Sequence, residues 1–454
     1  MSMQADSSIK DAEVVLMDID PVRLNYMMEI YKKMLELCPD IPLKVSKTTD
    51  LKKAVANTSY AITAIHPGGR TAIISDNEIP KKWGDKVGTP LMACKADTLS
   101  AGGIMRGCRS IPAFLEILDA MAEVAEKDAL LINYSNPMAM IVWAMYEHIE
   151  RNNYDLDVVG LCHGVHETAI LFRVWCGALP NEFSYTCAGI NHMSWYIDMR
   201  MKDYESGKWK DAYPVLKHNL KESPPTGDFH PETFRREVLE QFGYFCTEDS
   251  SALSEFVPWP VRTRQDLFKK YRFASEGPNM KKLSGAKDWS PESDRKHFEK
   301  VLSKPRNYRV PDKPSFEYAS WIIDACETEP CDDAYPKTYY FYGNVKNENV
   351  ISNLPYGCCV EVPCIAVGRG WSNQGPVSSM FQGELPPQCA ALCKTNINVQ
   401  ELVVKACLEE NPEYVRLAMM MDPHISQVLE PSEAREMADE MMEAQKKWLP
   451  QFYG

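Results

Sequence analysis

Short apolar runs recur through the first 190 residues, and each closes on polar, glycine or proline positions. Residues 14–17 (VVLM) run into Asp18-Ile19-Asp20-Pro21, and residues 60–65 (YAITAI) into His66-Pro67-Gly68-Gly69. Residues 129–133 (ALLIN) end at Tyr134-Ser135-Asn136-Pro137, and 158–161 (VVGL) at Cys162-His163-Gly164. A further strand-like run covers 184–190. Helix-like stretches lie between the early runs, at 23–37, 111–127 and 138–150. Strands alternating with helices at this spacing predict βαβ units and a parallel sheet. In such a sheet ligands bind outside the carboxyl ends of the strands, which is where the chemically capable residues fall.

After about residue 190 the pattern loses its regularity, with proline-rich connections near 223–225 and 305–314. No internal repeat or low-complexity tract is evident. Residues 431–448, rich in Glu, Met and Lys, predict an amphipathic helix packed on the surface.

Composition narrows the partners. The chain has 454 residues and a formal net charge of -13, with a pI near 5.3. Nucleic acids and anionic membranes call for a cationic footprint, so neither is an expected partner. No apolar run approaches the ~18 residues of a membrane span. The first eleven residues are polar, which speaks against a signal peptide. The fifteen cysteines are irregularly spaced and odd in number. Together these features predict reduced thiols and a cytoplasmic protein.

Several strand ends carry candidate chemistry. Asp18 stands where a dinucleotide-binding fold places the acid for the adenosine ribose hydroxyls, although an Asp there also starts a turn. Such a fold needs a preceding strand and a glycine-rich turn. None of the seventeen residues before Asp18 is glycine, and residues 1–8 would fit only the tail of the first helix. The expectation is a chain that starts inside this fold or has lost its phosphate loop. Cys162 and His192, each just past a strand-like run, could share one divalent ion from adjacent strand ends. Each could equally be a buried thiol or a satisfied imidazole. Asn136, with Asn133 before it, could offer an amide to sugar hydroxyls or tie down its own loop. Residues 97–103 (DTLSAGG) and Arg109-Ser110-Ile111-Pro112 read as a glycine-containing loop leading into a helix that Pro112 starts.

Taken together the motifs resemble glycoside hydrolase family 4, the NAD- and metal-dependent glycosidases, which depart from two-carboxylate hydrolysis. The matching segments are 16–20 (LMDID), 97–103, 133–140 (NYSNPMAM), 160–165 (GLCHGV), 188–195 (AGINHMSW), 247–259 (TEDSSALSEFVPW) and 353–363 (NLPYGCCVEVP). They run in order across nearly the whole chain. The resemblance implies an α/β protein of the lactate/malate dehydrogenase superfamily type. Residues 1–190 would form a Rossmann-like NAD-binding domain, N-terminally incomplete, and 191–454 a catalytic, substrate and oligomerisation domain. It implies Cys162 and His192 as manganese ligands, Asp18 and Asn133 beside the dinucleotide, and Asn136, Asn191 and Arg109 on the sugar. A homo-oligomer, dimer or tetramer, is also implied. The Cys-His-Gly triplet is most similar to the α-galactosidase and α-glucosidase branch, which acts on unphosphorylated sugars; the α-uronidases are a nearby branch.

The implied reaction withdraws hydride from C3 of the sugar to NAD. It then removes the C2 proton with the metal as Lewis acid, expels the aglycone, adds water at C1 and returns the hydride. Two side chains depart from the family pattern. Ala252 stands where relatives carry His, and Phe256 where they carry Tyr. Phe has no titratable group, so Tyr244 becomes a candidate base, and Asp249 or Glu248 a candidate acid. A malate/lactate-type dehydrogenase and a non-catalytic sugar-sensing descendant are the competing readings.

Overall fold

The computed structural model describes residues 12–37, 43–88, 98–222, 232–271, 273, 291–304, 317–328, 337–369 and 375–453. The expected proline-rich connections at 223–225 and 305–314, the expected helix tail at 1–8, and Asp97 lie outside them.

The first half alternates strand and helix as the apolar pattern predicts. It runs β1 (Glu13–Met17), α1 (Pro21–Leu37), β2 (Lys44–Thr48), α2 (Leu51–Val55), β3 (Tyr60–Thr63), α3 (Gly69–Lys86), α4 (Ser100–Val124), β4 (Ala129–Asn133), α5 (Met138–Asn152), β5 (Leu156–Leu161) and α6 (Gly164–Trp175). All five residues of β4 are buried, as expected of an apolar strand covered on both faces. The second half contributes β6 (Phe183–Ile190), β7 (Met193–Lys202), β8 (Trp209–Asp211), α7 (Tyr213–Glu222), α8 (Thr233–Phe242) and α9 (Ser250–Leu253). Later come β9 (Thr338–Lys346), β10 (Cys359–Val367), β11 (Val377–Ser379) and helices Pro387–Leu408, Glu413–Met421 and Pro431–Gln445. The last of these confirms the tail helix, which ends three residues early as a 3-10 turn takes over at Lys446.

The sheet departs from an all-parallel layout. β1 and β2 pair in parallel as a sheet of their own. A nine-stranded sheet follows the order β3-β4-β5-β9-β10-β6-β7-β8, with β11 on β10. Its β3–β4–β5 part is parallel; every later pairing is antiparallel. The break between β1 and β3 falls where dinucleotide-fold strand order calls for the strand carrying the phosphate turn. Among the described residues no strand joins them. The expected division at 190/191 falls inside the β6–β7 hairpin, and one hydrogen-bonded sheet runs through both parts. The main apolar core likewise draws on both.

The expected loop before Pro112 is instead the first half of a 25-residue helix, α4, which starts at Ser100. Ile104, Met105, Cys108, Ile111, Phe114 and Leu118 form its buried face, and that packing outweighs the proline signal. Proline in a helix interior leaves the carbonyl four residues back without its donor. Here that carbonyl, Cys108 O, accepts from Gln451 Nε2 at 2.8 Å, so the C-terminal tail repairs the gap.

Arg109 therefore lies on a helix. Its guanidinium is fully buried and grips Asp76 through two bonds of 2.9 and 2.7 Å. It also donates to Gln445, whose amide returns to Asp76 at 2.7 Å. This ties α4 to α3 and to helix Pro431–Gln445. Removing one partner of a buried pair leaves an uncompensated charge, so Arg109→Met is expected to lower unfolding stability by about 3–5 kcal/mol. The urea midpoint reads this out. An unchanged midpoint with a weakened sugar affinity would instead return Arg109 to the substrate.

Candidate active site

The structure brings together the two donors expected to share an ion, but by another route than adjacent strands. Cys162 follows β5 and His192 lies in the turn between β6 and β7, yet β9 and β10 stand between those strands. The joints are short: β5 meets β9 through Gly160 and Leu161, and β10 meets β6 through Glu361 and Gly189. Across them the Cys162 thiol, the His192 imidazole and the Glu248 carboxylate converge, with ligand atoms all within 4.8 Å of one another. His192 Nε2 is 3.6 Å from Glu248 Oε1. Both side chains are partly exposed, at 11% and 24%, so the cluster is open on one side. Burial raises the Cys162 thiol pKa, and the neighbouring His192 opposes this.

Local backbone and neighbours build this geometry. His192 and Glu248 both sit at positive φ, +65 and +67, sparsely populated for residues with a Cβ. Thr98 Oγ1 meets His192 Nδ1 at 2.8 Å. An imidazole held at Nδ1 keeps its Nε2 for a metal. Two residues on, Ser100 also sits at positive φ, and its N–H donates to the buried Asp422 at 2.9 Å. Gly164 is required for another reason: a Cβ there would collide with Glu248 Oε1 and lie 3.5 Å from Cys162 Sγ. The glycine of the Cys-His-Gly triplet is thus the space that Glu248 occupies.

The other candidate residues lie elsewhere or are otherwise engaged. Asp249 is the N-cap of α9, accepting from Ser251 and Ala252 N–H at 2.8 and 2.9 Å. Tyr244 is half-buried, edge-on to Tyr213. Asn191 is fully buried and donates to Glu361 at 3.3 Å. Asn133 is fully buried and bound to Ser135 and Thr63. Asn136 is half-buried, at a cis bond to Pro137 after β4. Asp18 follows β1 and accepts from the Asp20 N–H at 2.8 Å, the turn contact typical of a strand-end Asp. Phe256 is fully buried in the core. His163, which sequence reasoning left without a role, pairs with Glu317 at 3.1 Å and lies edge-on to Tyr318. Its position next to Cys162 was the available signal.

A Rossmann-like α/β framework with a thiol, an imidazole and a carboxylate converging at strand ends defines the class: an α/β protein with a candidate divalent-metal site. The chain matches "Family 4 glycosyl hydrolase" over residues 1–174 and the "Family 4 glycosyl hydrolase C-terminal domain" over 187–425. It is 32% identical to an alpha-galactosidase of Rhizobium meliloti (strain 1021), covering 98% of this chain and 84% of that one. It is also 32% identical to an alpha-galactosidase of Bacillus subtilis (strain 168), covering 97% and 93%. A 6-phospho-alpha-glucosidase from gut microorganisms, solved in complex with NAD and Mn2+, shares the fold. Its TM-score is 0.72 at 21% identity, covering 96% of this chain and 91% of that one. The chain belongs to glycosyl hydrolase family 4 and is a glycoside hydrolase. Among the described residues no helix is long and apolar enough to cross a membrane.

Gly164→Ala tests the role of Glu248. The new methyl meets the end of a flexible side chain, so the fold should persist while the carboxylate is displaced. Affinity for Mn2+ or Co2+, read by titration, is expected to fall about 10–100-fold, the range for lost metal-site support. Unchanged affinity would remove Glu248 from the donor set.

Proposed function

We propose that the chain is a divalent-metal-dependent α-glycosidase acting on unphosphorylated α-galactosides. The convergence of Cys162, His192 and Glu248 carries this reading, and the two alpha-galactosidases at 32% identity support the sugar. The carboxylate and imidazole suit a divalent first-row ion such as manganese, and the thiol adds one softer donor, with room left for substrate oxygens. When bound, the metal supplies Lewis-acid polarisation of a sugar carbonyl, and NAD supplies reversible hydride transfer at C3.

The chain's own residues then have defined tasks. Cys162, His192 and Glu248 hold the ion, and Thr98 fixes the imidazole that faces it. His163, partnered by Glu317, is placed beside Cys162 to carry a proton to or from the leaving oxygen. Asn136 offers its amide to sugar hydroxyls. Asp249 and Tyr244 are engaged in capping and aromatic packing, which favours His163 over both. Asp18, at the end of β1, suits the ribose hydroxyls of NAD. A cytoplasmic setting belongs to the same reading, supported by the described cysteines, all free thiols.

Release of the aglycone from an aryl α-galactoside, after chelation and removal of bound nucleotide, is the direct test. Activity is expected to return only with both Mn2+ and NAD, and Cys162→Ser is expected to abolish it. Turnover that persists without NAD would overturn the redox route, and faster turnover of an α-glucoside or α-galacturonide would move the substrate. Phe256, buried where the resemblance expects a Tyr, favours a second reading, a sugar-binding protein without turnover. Calorimetry distinguishes the two: folded protein that binds Mn2+ but not NAD supports the second.

A further inference from the structure

We propose that Glu361 is a positioning residue that holds the two metal-ligand segments in register. The proposal rests on Cys162, His192 and Glu248 being the metal donors, and Glu361 itself is not one of them. In the sheet, Gly160 on β5, Asn344 on β9, Glu361 on β10 and Gly189 on β6 form one transverse row. This row crosses the strands that separate Cys162 from His192. Its β10–β6 step is a single residue pair, so the backbone ladder alone offers little there to set the distance between the two donors.

Side chains take over that task. Glu361 is 1% exposed, and its Oε1 accepts from Asn191 Nδ2 at 3.3 Å and Asn344 Nδ2 at 3.2 Å. Its Oε2 lies 2.6 Å from Ser194 Oγ. Asn191 and Ser194 flank His192, so one carboxyl clamps the turn on both sides of the imidazole. Asn344 Nδ2 also reaches Gly160 O at 3.4 Å, two residues before Cys162. Glu361 thus touches, directly or through one amide, the segments that carry Cys162 and His192.

Packing alone does not call for an acid here. The neighbouring Val360 and Val362 are fully buried apolar residues, and a buried carboxyl is costly unless its bonds are made. The Ser194 hydroxyl has one hydrogen but two acceptors in reach, Glu361 and the Ile190 carbonyl at 3.0 Å. A neutral carboxyl that donates to Ser194 satisfies both. Glutamine can reproduce that pattern, with its amide N–H on Ser194 and its oxygen on the two asparagines. Leucine cannot.

The experiment is Co2+ titration of the full chain, following the thiolate-to-cobalt absorption band, with urea unfolding of the metal-free protein alongside. Glu361→Leu is expected to keep a cooperative fold and lose about 10–100-fold in cobalt affinity, while Glu361→Gln stays within about threefold of the unaltered protein, well under that range. Should Glu361→Leu not fold, Ser194→Ala and Asn344→Ala are measured instead, and each is expected to weaken cobalt binding. Unchanged affinity in Glu361→Leu, or in both substitutes, overturns the proposal while leaving the metal site standing. A band absent from the unaltered protein, or retained in Cys162→Ser, overturns the site and this proposal with it.

Discussion

The site depends on bringing a thiol and an imidazole together across two intervening strands. β5 and β6 do not pair, and the strands between them come from far along the chain. The outer joints, β5–β9 and β10–β6, are short ladders, and a buried polar row of Asn344, Glu361 and Asn191 crosses the region. Low-dielectric surroundings strengthen such bonds when all are made and penalise any that are missing.

The helical layer supports the site from behind. Thr98 reaches His192 at the entrance to α4, and Asp422, after helix Glu413–Met421, holds the left-handed Ser100 next to it. α4 is in turn fixed by the buried Arg109–Asp76–Gln445 cluster and by Gln451 on the Cys108 carbonyl. The orientation of one imidazole thus depends on the last helices of the chain. This explains why the site cannot be assigned to either half alone, although the family match divides near residues 174 and 187.

Among the described residues, more side chains converge on the candidate metal site than on the expected dinucleotide site. The metal side has three convergent donors, a glycine that makes room for one of them and a threonine that orients another. The dinucleotide side has Asp18 at the end of β1 and a break in the sheet beside it. Asn133, expected near the cofactor, is engaged within its own turn. Two of the three convergent residues, His192 and Glu248, sit at positive φ, a form of strain that functional sites tend to store.

Much of this was legible in the sequence, because apolar periodicity is local. The alternation of strands and helices to α6, the tail helix, and the placement of Cys162 and His192 at strand ends all follow from residues close in the chain. Other features depended on contacts that no local pattern encodes. Pro112 reads as a helix start until Gln451, hundreds of residues later, supplies the missing bond. Arg109 and Asp249 read only as candidate site residues, and their partners, Asp76 and the start of α9, came from the tertiary structure. Glu248 was one of several acids in a polar segment, and its convergence with Cys162 required β9 and β10 to insert between β5 and β6. The sequence by itself determined which residue types stand at the strand ends. The tertiary structure decided which of them meet, because strand order and side-chain bonding over long separations are set by the packed whole.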